Sequence, residues 1–174
     1  MNTTLANPAA EKLDQRAGKY LTFGLGKEEF AIQVTRVREI MGIQEITAAP
    51  ETPGYVKGVL NLRDKVVPVV DLRLKFDLPE LEYTERTCII VAQIDVAPIE
   101  SPKGKLLIGI IVDGVSEVLT LSASNIEDTP DFGRGVATPY ILGMAKVKNK
   151  VKILLDINTV FNAQEVECFA DVTG

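Results

Sequence analysis

The side chains of this chain that could do chemistry are few, and their spacing suits none of the common reactions. There is no His among the 174 residues. That removes Ser-His-Asp and Cys-His nucleophile systems and every zinc site built on imidazole. Cys88 and Cys168 lie far apart and form no Cys-x-x-Cys pair. A single disulfide between them stays open, although two scattered thiols fit a reducing compartment better. Glu28-Glu29, and Asp128 with Asp131, are the remaining candidates for acid/base work; nothing places them in a pocket, so both read as solvated turns. Gly24-Leu25-Gly26 lacks the trailing Gly-Lys-Ser/Thr and the strand-to-helix context of a phosphate loop. The expectation is no catalytic residue, no cofactor and no metal ligand. A small carboxylate-based enzyme is the competing class, without positive support.

The bulk properties narrow the partners. The net charge is −5, so there is no overall basic footprint for nucleic acid. The longest apolar run, Leu106 to Val112, is far short of the roughly 18 residues a membrane helix needs. The first 18 residues have no secretory-type apolar stretch. A soluble, cytoplasmic protein is expected, with no nucleic acid partner and no direct membrane insertion.

If the chain works by presenting surfaces, the elements that position them matter most. Val and Ile together outnumber Leu two to one, which favours strands. Residues 1–18 read as a flexible tail. Tyr20–Leu25 and Phe30–Val34 form a hairpin about Gly26–Glu29. Val37–Met41 alternates apolar and charged residues as a half-buried strand does. Val59–Leu62 and Val66–Leu72 flank Arg63-Asp64-Lys65, a compact hairpin. Pro68 offers no ladder N–H, which predicts an edge strand or a bulge. Further strands are expected over Cys88–Ile94, Leu106–Val112, Val115–Leu121 and Lys150–Leu155. Pro98–Lys105 reads as a turn-rich excursion. Asn158 is expected to cap a helix carrying Val160, Phe161 and Val166 inward, with the last six residues frayed.

The chain also repeats itself. Tyr55–Asp71 aligns without gaps on Tyr140–Asp156, matching at Tyr55/Tyr140, Gly58/Gly143, Lys65/Lys150, Val66/Val151 and Asp71/Asp156. Phe30–Met41 aligns on Ile108–Leu119, matching at Ile32/Ile110, Val34/Val112, Val37/Val115 and Glu39/Glu117. The two matches occur in the same order in each half, which favours duplication. The prediction is a mainly β protein of two small barrels of about five strands. Residues 19–83 would form the first barrel, 84–157 the second and 158–174 a C-terminal helix and tail. A barrel of that size is marginal alone, so the pair should share buried surface with a groove between them. Asp64 and Asn149 hold equivalent hairpin places, and both types tolerate a left-handed turn. Gly58 and Gly143 should mark a special backbone angle or a close approach.

The string Gly58-Val-Leu-Asn-Leu-Arg-Asp-Lys-Val-Val-Pro-Val-Val-Asp-Leu-Arg73 closely resembles the signature of the chemotaxis coupling family CheW. Glu28–Ile32 with Val37–Ile40 resembles that family's opening hairpin and next strand, and Ile111–Leu119 its second-half counterpart. The family usually has Gly where Asp64 stands, and the Pro98–Lys105 excursion is longer than usual. The resemblance implies two SH3-like five-stranded barrels and an adaptor without catalysis. The adaptor would join the cytoplasmic tips of transmembrane chemoreceptors to the regulatory domain of the histidine kinase CheA, at receptor arrays on the inner face of the membrane. The alternative is a coupling module of a larger chemotaxis kinase or of a coupling–receiver protein. On the family pattern, Arg63 held by Glu39 would shape the receptor site, and Val37, Cys88, Val115 and Val118 would line the inter-barrel groove. Gly58, Asn61 and Gly143 would support coupling structurally. Ile40, Gly42 and Ile46 would lie at a barrel end that meets the kinase.

Overall fold

The computed structural model describes residues 15–95, 105–128 and 140–173. Among the described residues the regular structure is mostly strand: β1 (Gly18–Leu25), β2 (Glu28–Gln33), β3 (Val37–Gly42), β4 (Val56–Leu62), β5 (Lys65–Asp71), β6 (Cys88–Asp95), β7 (Lys105–Val112), β8 (Gly114–Leu121), β9 (Ile126–Glu127), β10 (Ile141–Val147) and β11 (Lys150–Leu155). Three helices, α1 (Leu72–Lys75), α2 (Ile157–Val160) and α3 (Ala163–Thr173), follow the strands that end each half. Two sheets result, in the orders β8-β1-β2-β11-β10-β9 and β3-β6-β7-β5-β4. We call them barrel A and barrel B.

Sheet membership corrects the expected division at residues 83 and 84. Hairpin β1–β2 belongs with β8–β11, and hairpin β6–β7 belongs with β3–β5. The joints explain the exchange. Only Asp113 separates β7 from β8, and only the 3-10 turn Val34–Arg36 separates β2 from β3. Neither joint reverses the chain, so each strand runs out of one barrel and continues in the other. Within each barrel a parallel pairing, β2 with β11 or β7 with β5, receives the exchanged hairpin.

The exchange also explains why β6 and β7 are almost continuously apolar. Their alternate side chains enter different cores. Ile89, Val91 and Ile111 fill the interior of barrel B. Ile90, Ala92, Ile94, Ile108 and Ile110 fill a larger core between the barrels, with Leu21, Phe23, Leu25, Phe161 and Phe169. Tyr20, Ala31, Ala145 and Leu154 fill barrel A.

The duplication is visible in the geometry. β4–β5 and β10–β11 share one register, with a bulge between Val56 and Gly58 in the first and between Ile141 and Gly143 in the second. In both copies the strand-ending Asp N–H donates to the Tyr carbonyl at 2.8 Å: Asp71 to Tyr55, Asp156 to Tyr140. The same carboxylates cap the next helix, accepting from Arg73 N–H and Asn158 N–H. Asp156, not Asn158, is therefore the cap of α2. Helix α3 opens on a reciprocal box in which Asn162 N–H donates to Glu165 and Glu165 N–H to Asn162. The last residues are helical as far as Thr173 because Phe169 is fully buried in the inter-barrel core. Lys75 ties α3 to α1 through Glu165 at 2.7 Å, and burial pulls the pKa of this lysine below its usual value.

Pro68 sits on an interior strand, a correction to the edge expectation. It pairs with Val59 and directly precedes Val69–Asp71, the stretch that pairs with β7. The pairing thus starts after the residue that lacks an N–H.

Polar clamps fasten the barrels together. Arg73 donates from Nε and Nη2 to both Asp113 oxygens, at 2.7 and 2.9 Å, while Gly26 N–H donates to Asp113 at 2.8 Å. At the equivalent place in the other half, Asn158 Oδ1 accepts from Asp95 N–H at 2.9 Å and Arg36 pairs with Asp95 at 3.0 Å. Asp113→Ala should take both charge-assisted bonds from Arg73, leaving it the Pro79 carbonyl at 3.0 Å, and lower stability by on the order of 2 kcal/mol. The full cost of stranding a buried charge is not reached, because Arg73 keeps its bond to the Pro79 carbonyl and water can enter where the partly exposed Asp113 stood. A urea-unfolding midpoint unchanged by this substitution would refute the clamp.

Candidate docking surfaces

The hairpin joining β4 to β5 turns on two left-handed residues, Arg63 at φ 49° and Asp64 at φ 69°. This is what a two-residue hairpin with the twist of its strands requires. The copy joining β10 to β11 repeats it with Lys148 at φ 51° and Asn149 at φ 65°. The left-handed turn at Asp64 and Asn149 agrees with their residue types. Arg63 and Lys148 carry no such signal, and a non-glycine residue there costs about 1 kcal/mol. Because both copies bear this strain, it is a property of the hairpin and not by itself a mark of function.

Arg63 reaches across to β3, where one guanidinium nitrogen contacts Glu39 at 3.2 Å. The pair expected from the sequence is thus brought together, through a single contact and not a bidentate one. The Arg63 side chain is 80% exposed and that of Glu39 28%. Such a pair stabilises the fold by less than about 1 kcal/mol. Its consequence is positional: it holds an exposed cation at the lip of barrel B.

That lip surrounds a cleft of about 600 Å³ lined by Arg38, Glu39, Leu62, Arg63, Lys65, Val91, Gln93, Lys105, Leu106 and Leu107. Leu62, Val91 and Leu107 belong to the packing of the barrel interior, so the cleft is the mouth of barrel B. Sequence reading missed most of this set. A β-bulge between Val37 and Glu39 brings the consecutive residues Arg38 and Glu39 to one cleft, where strict alternation would send them to opposite faces.

The other expected site residues fall in several places. Val37, Cys88 and Val115 are half-buried against the inter-barrel core. The space between the barrels is largely filled by that core, so these three residues sit at its margin. Cys88 and Cys168 are both free thiols. Val118 stands apart, 55% exposed on β8. Ile40 and Gly42 are exposed on β3, and Ile46 packs against the interior cluster of barrel B. Asn61 is exposed beside the hairpin.

Gly58 and Gly143 are both buried at close backbone approaches. A Cβ on Gly58 would stand 2.0 Å from the Thr47 carbonyl oxygen, and one on Gly143 2.7 Å from that of Glu127.

The acidic residues need one correction. Glu29 is not in a solvated turn: it lies on β2 and pairs with Lys152 of β11, which is almost completely buried. Asp128 pairs with Arg16, while Asp131 lies outside the described residues. The Pro98–Lys105 excursion falls outside them as far as Gly104, with Lys105 opening β7. No group of three or more metal-ligating side chains occurs among the described residues. None of the helices among them is long and apolar enough to cross a membrane.

Comparison with known proteins agrees with this architecture. The family described as "CheW-like domain" matches residues 19–165. The chemotaxis protein CheW of Klebsiella aerogenes is 37% identical over 163 residues, covering 94% of this chain and 91% of the relative. That of Bacillus subtilis is 35% identical, covering 84% of this chain and 88% of the relative. The crystal structure of the scaffolding protein TtCheW from Thermoanaerobacter tengcongensis superposes with a TM-score of 0.71 at 28% identity, covering 86% of this chain and 95% of that one. The signature string in β4 and β5, the mainly β two-barrel fold and these matches agree: the chain belongs to the CheW family.

Proposed function

We propose that this protein is a non-catalytic scaffold that couples the cytoplasmic tips of chemoreceptors to the regulatory domain of the histidine kinase CheA. It would work at receptor arrays on the inner face of the membrane. The observation that carries the reading is the Arg63–Glu39 pair: an exposed cation held at 3.2 Å by a carboxylate, on a hairpin whose backbone is fixed by two left-handed residues. A side chain fixed in that way offers a partner a defined charge at low ordering cost. Val37, Cys88 and Val115 would add apolar contact for a receptor helix at the barrel margin, and exposed Val118 would add a separate contact further along β8. Gly58, Asn61 and Gly143 would hold the two hairpins that carry these faces. Ile40, Gly42 and Ile46 would meet the kinase. Interfaces of modest area on one rigid body become stable when many copies act together in a lattice.

The experiment is a pull-down of full-length protein with purified kinase regulatory domain and with a receptor-tip fragment. Both should be retained at tens of micromolar. Arg63→Ala should weaken receptor retention by about tenfold, with an unchanged unfolding midpoint because the pair is exposed. Failure to retain either partner would defeat the adaptor reading. Undiminished receptor binding by the variant would remove Arg63 from the site.

A further inference from the structure

Because the two halves repeat over Phe30–Met41 with Ile108–Leu119 and Tyr55–Asp71 with Tyr140–Asp156, most of the rim of barrel B has a counterpart in barrel A, and the two mouths can be compared. In barrel B the mouth is open. Arg38, Arg63 and Lys65 stand on its rim against one carboxylate, Glu39, and Val91 and Leu107 form its floor. In barrel A, Glu29 stands at the position of Leu107 and Lys152 at that of Val67, and these two neutralise each other inside the barrel. Ser116 takes the place of Arg38, while Lys148, Lys150 and Glu117 stand where barrel B has Arg63, Lys65 and Glu39, so the rims differ by one cation and the larger difference is the floor. One barrel thus carries an internal ion pair where the other has an apolar floor, and that floor is ringed by excess positive charge. This ring belongs to a chain whose net charge is −5.

We infer that the mouth of barrel B is a docking site for an acidic segment of a protein partner, with carboxylates on the rim and an apolar side chain on the floor. The inference rests on the reading of Arg63 as part of a partner face and specifies the chemistry of what meets it. Charge complementarity selects the occupant: a basic ring on an acidic protein attracts an acidic segment and repels a basic one. The cleft of about 600 Å³ has room for a few side chains, and the apolar floor favours an apolar residue between the acids. Nucleic acid fits the rim charge but not the floor.

The test uses the full chain, isotope-labelled for NMR, and a capped peptide of alternating glutamate and leucine as the probe. A lysine–leucine peptide and a single-stranded oligonucleotide serve as comparisons. The acidic peptide should shift resonances of β3, of the β4–β5 hairpin and of the first residues of β7, and the other two probes should not. The double variant R38E/K65E should lose at least about tenfold in affinity for the acidic peptide, whereas S116E/K150E, the same positions in barrel A, should stay within about twofold. Circular dichroism of both variants establishes that they are folded. Shifts spread over both barrels, equal losses in the two variants, or equal binding of the oligonucleotide would overturn the inference. A receptor-tip fragment run in the same series separates it from the adaptor reading. A fragment retained equally by wild type and R38E/K65E, with no peptide binding, sinks the docking site and leaves the adaptor reading intact. Peptide binding at the mouth with no retention of the fragment or of the kinase domain does the reverse.

Discussion

Gly58→Ala should cost about 4 kcal/mol or more, enough to unfold much of a domain whose total stability is about 5–15 kcal/mol. Three backbone atoms set this size. A methyl group at position 58 would lie 2.0 Å from the Thr47 oxygen, 2.7 Å from the Thr47 carbonyl carbon and 2.9 Å from the Ala48 Cα. No rotamer change relieves a clash with backbone, so the Thr47–Ala48 segment must move away. That segment is held to β4 by two hydrogen bonds, Thr47 N–H to the Val59 carbonyl at 2.9 Å and Val59 N–H to the Thr47 carbonyl at 2.8 Å. Both would be lost or stretched. The φ of 142° at Gly58 adds strain for any residue with a Cβ. Gly143→Ala meets a softer wall: Glu127 carbonyl oxygen at 2.7 Å, Ile126 Cγ2 at 3.0 Å and the flexible Arg16 Nη1 at 3.1 Å. It should cost about half as much. Urea unfolding of the two variants beside wild type measures both. An unchanged midpoint for Gly58→Ala would mean that the close approach does not exist in solution. Gly58→Asp should lose coupling together with stability, and lost binding at full stability would instead assign Gly58 a direct contact.

The same glycines show what the sequence could and could not reveal. The repeated Tyr, Gly and Asp positions were legible because backbone geometry demands them. Gly58 and Gly143 face a crossing carbonyl, and Asp71 and Asp156 cap a helix while reaching back to a Tyr carbonyl. Such roles select residue type at a fixed spacing and therefore survive duplication as visible identity. The strand exchange left no such trace. β1 and β6 look alike as strings whichever barrel receives them, and the joints at Val34–Arg36 and Asp113 reveal their direction only in three dimensions. The mouth of barrel B was hidden for a related reason. Arg38 and Glu39 share a cleft through a bulge, and Lys65 and Leu107 meet them from strands set far apart in the chain. The left-handed conformation was readable at Asp64 but not at Arg63, where the hairpin overrides the preference of the residue.

Glu29→Gln should be the second large loss, about 3 kcal/mol, because it strands the Lys152 ammonium inside barrel A. Lys152 is 4% exposed and sits level with Glu29 across the parallel pairing of β11 with β2. The two residues lie at opposite ends of the chain, which is why the pair was not readable from the sequence. A neutral amide at position 29 leaves a buried charge without a counterion, and taking a charge out of water costs several kcal/mol. Lys152→Met should cost less, because Glu29 is nearer to solvent and can hydrate. The duplicated barrel supplies the decisive variant. Barrel B has Leu107 and Val67 at these positions, so Glu29→Leu with Lys152→Val rebuilds a packing the fold already tolerates. The double variant should be at least as stable as wild type, since apolar replacement of a buried ion pair is often neutral or stabilising. A double-mutant cycle on urea midpoints then gives the coupling between the two sites. Single substitutions that add without coupling would show that the pair does not act as one buried unit. A coupled pair whose apolar replacement is stable would establish that the charges satisfy each other inside barrel A without being needed to hold the barrel together.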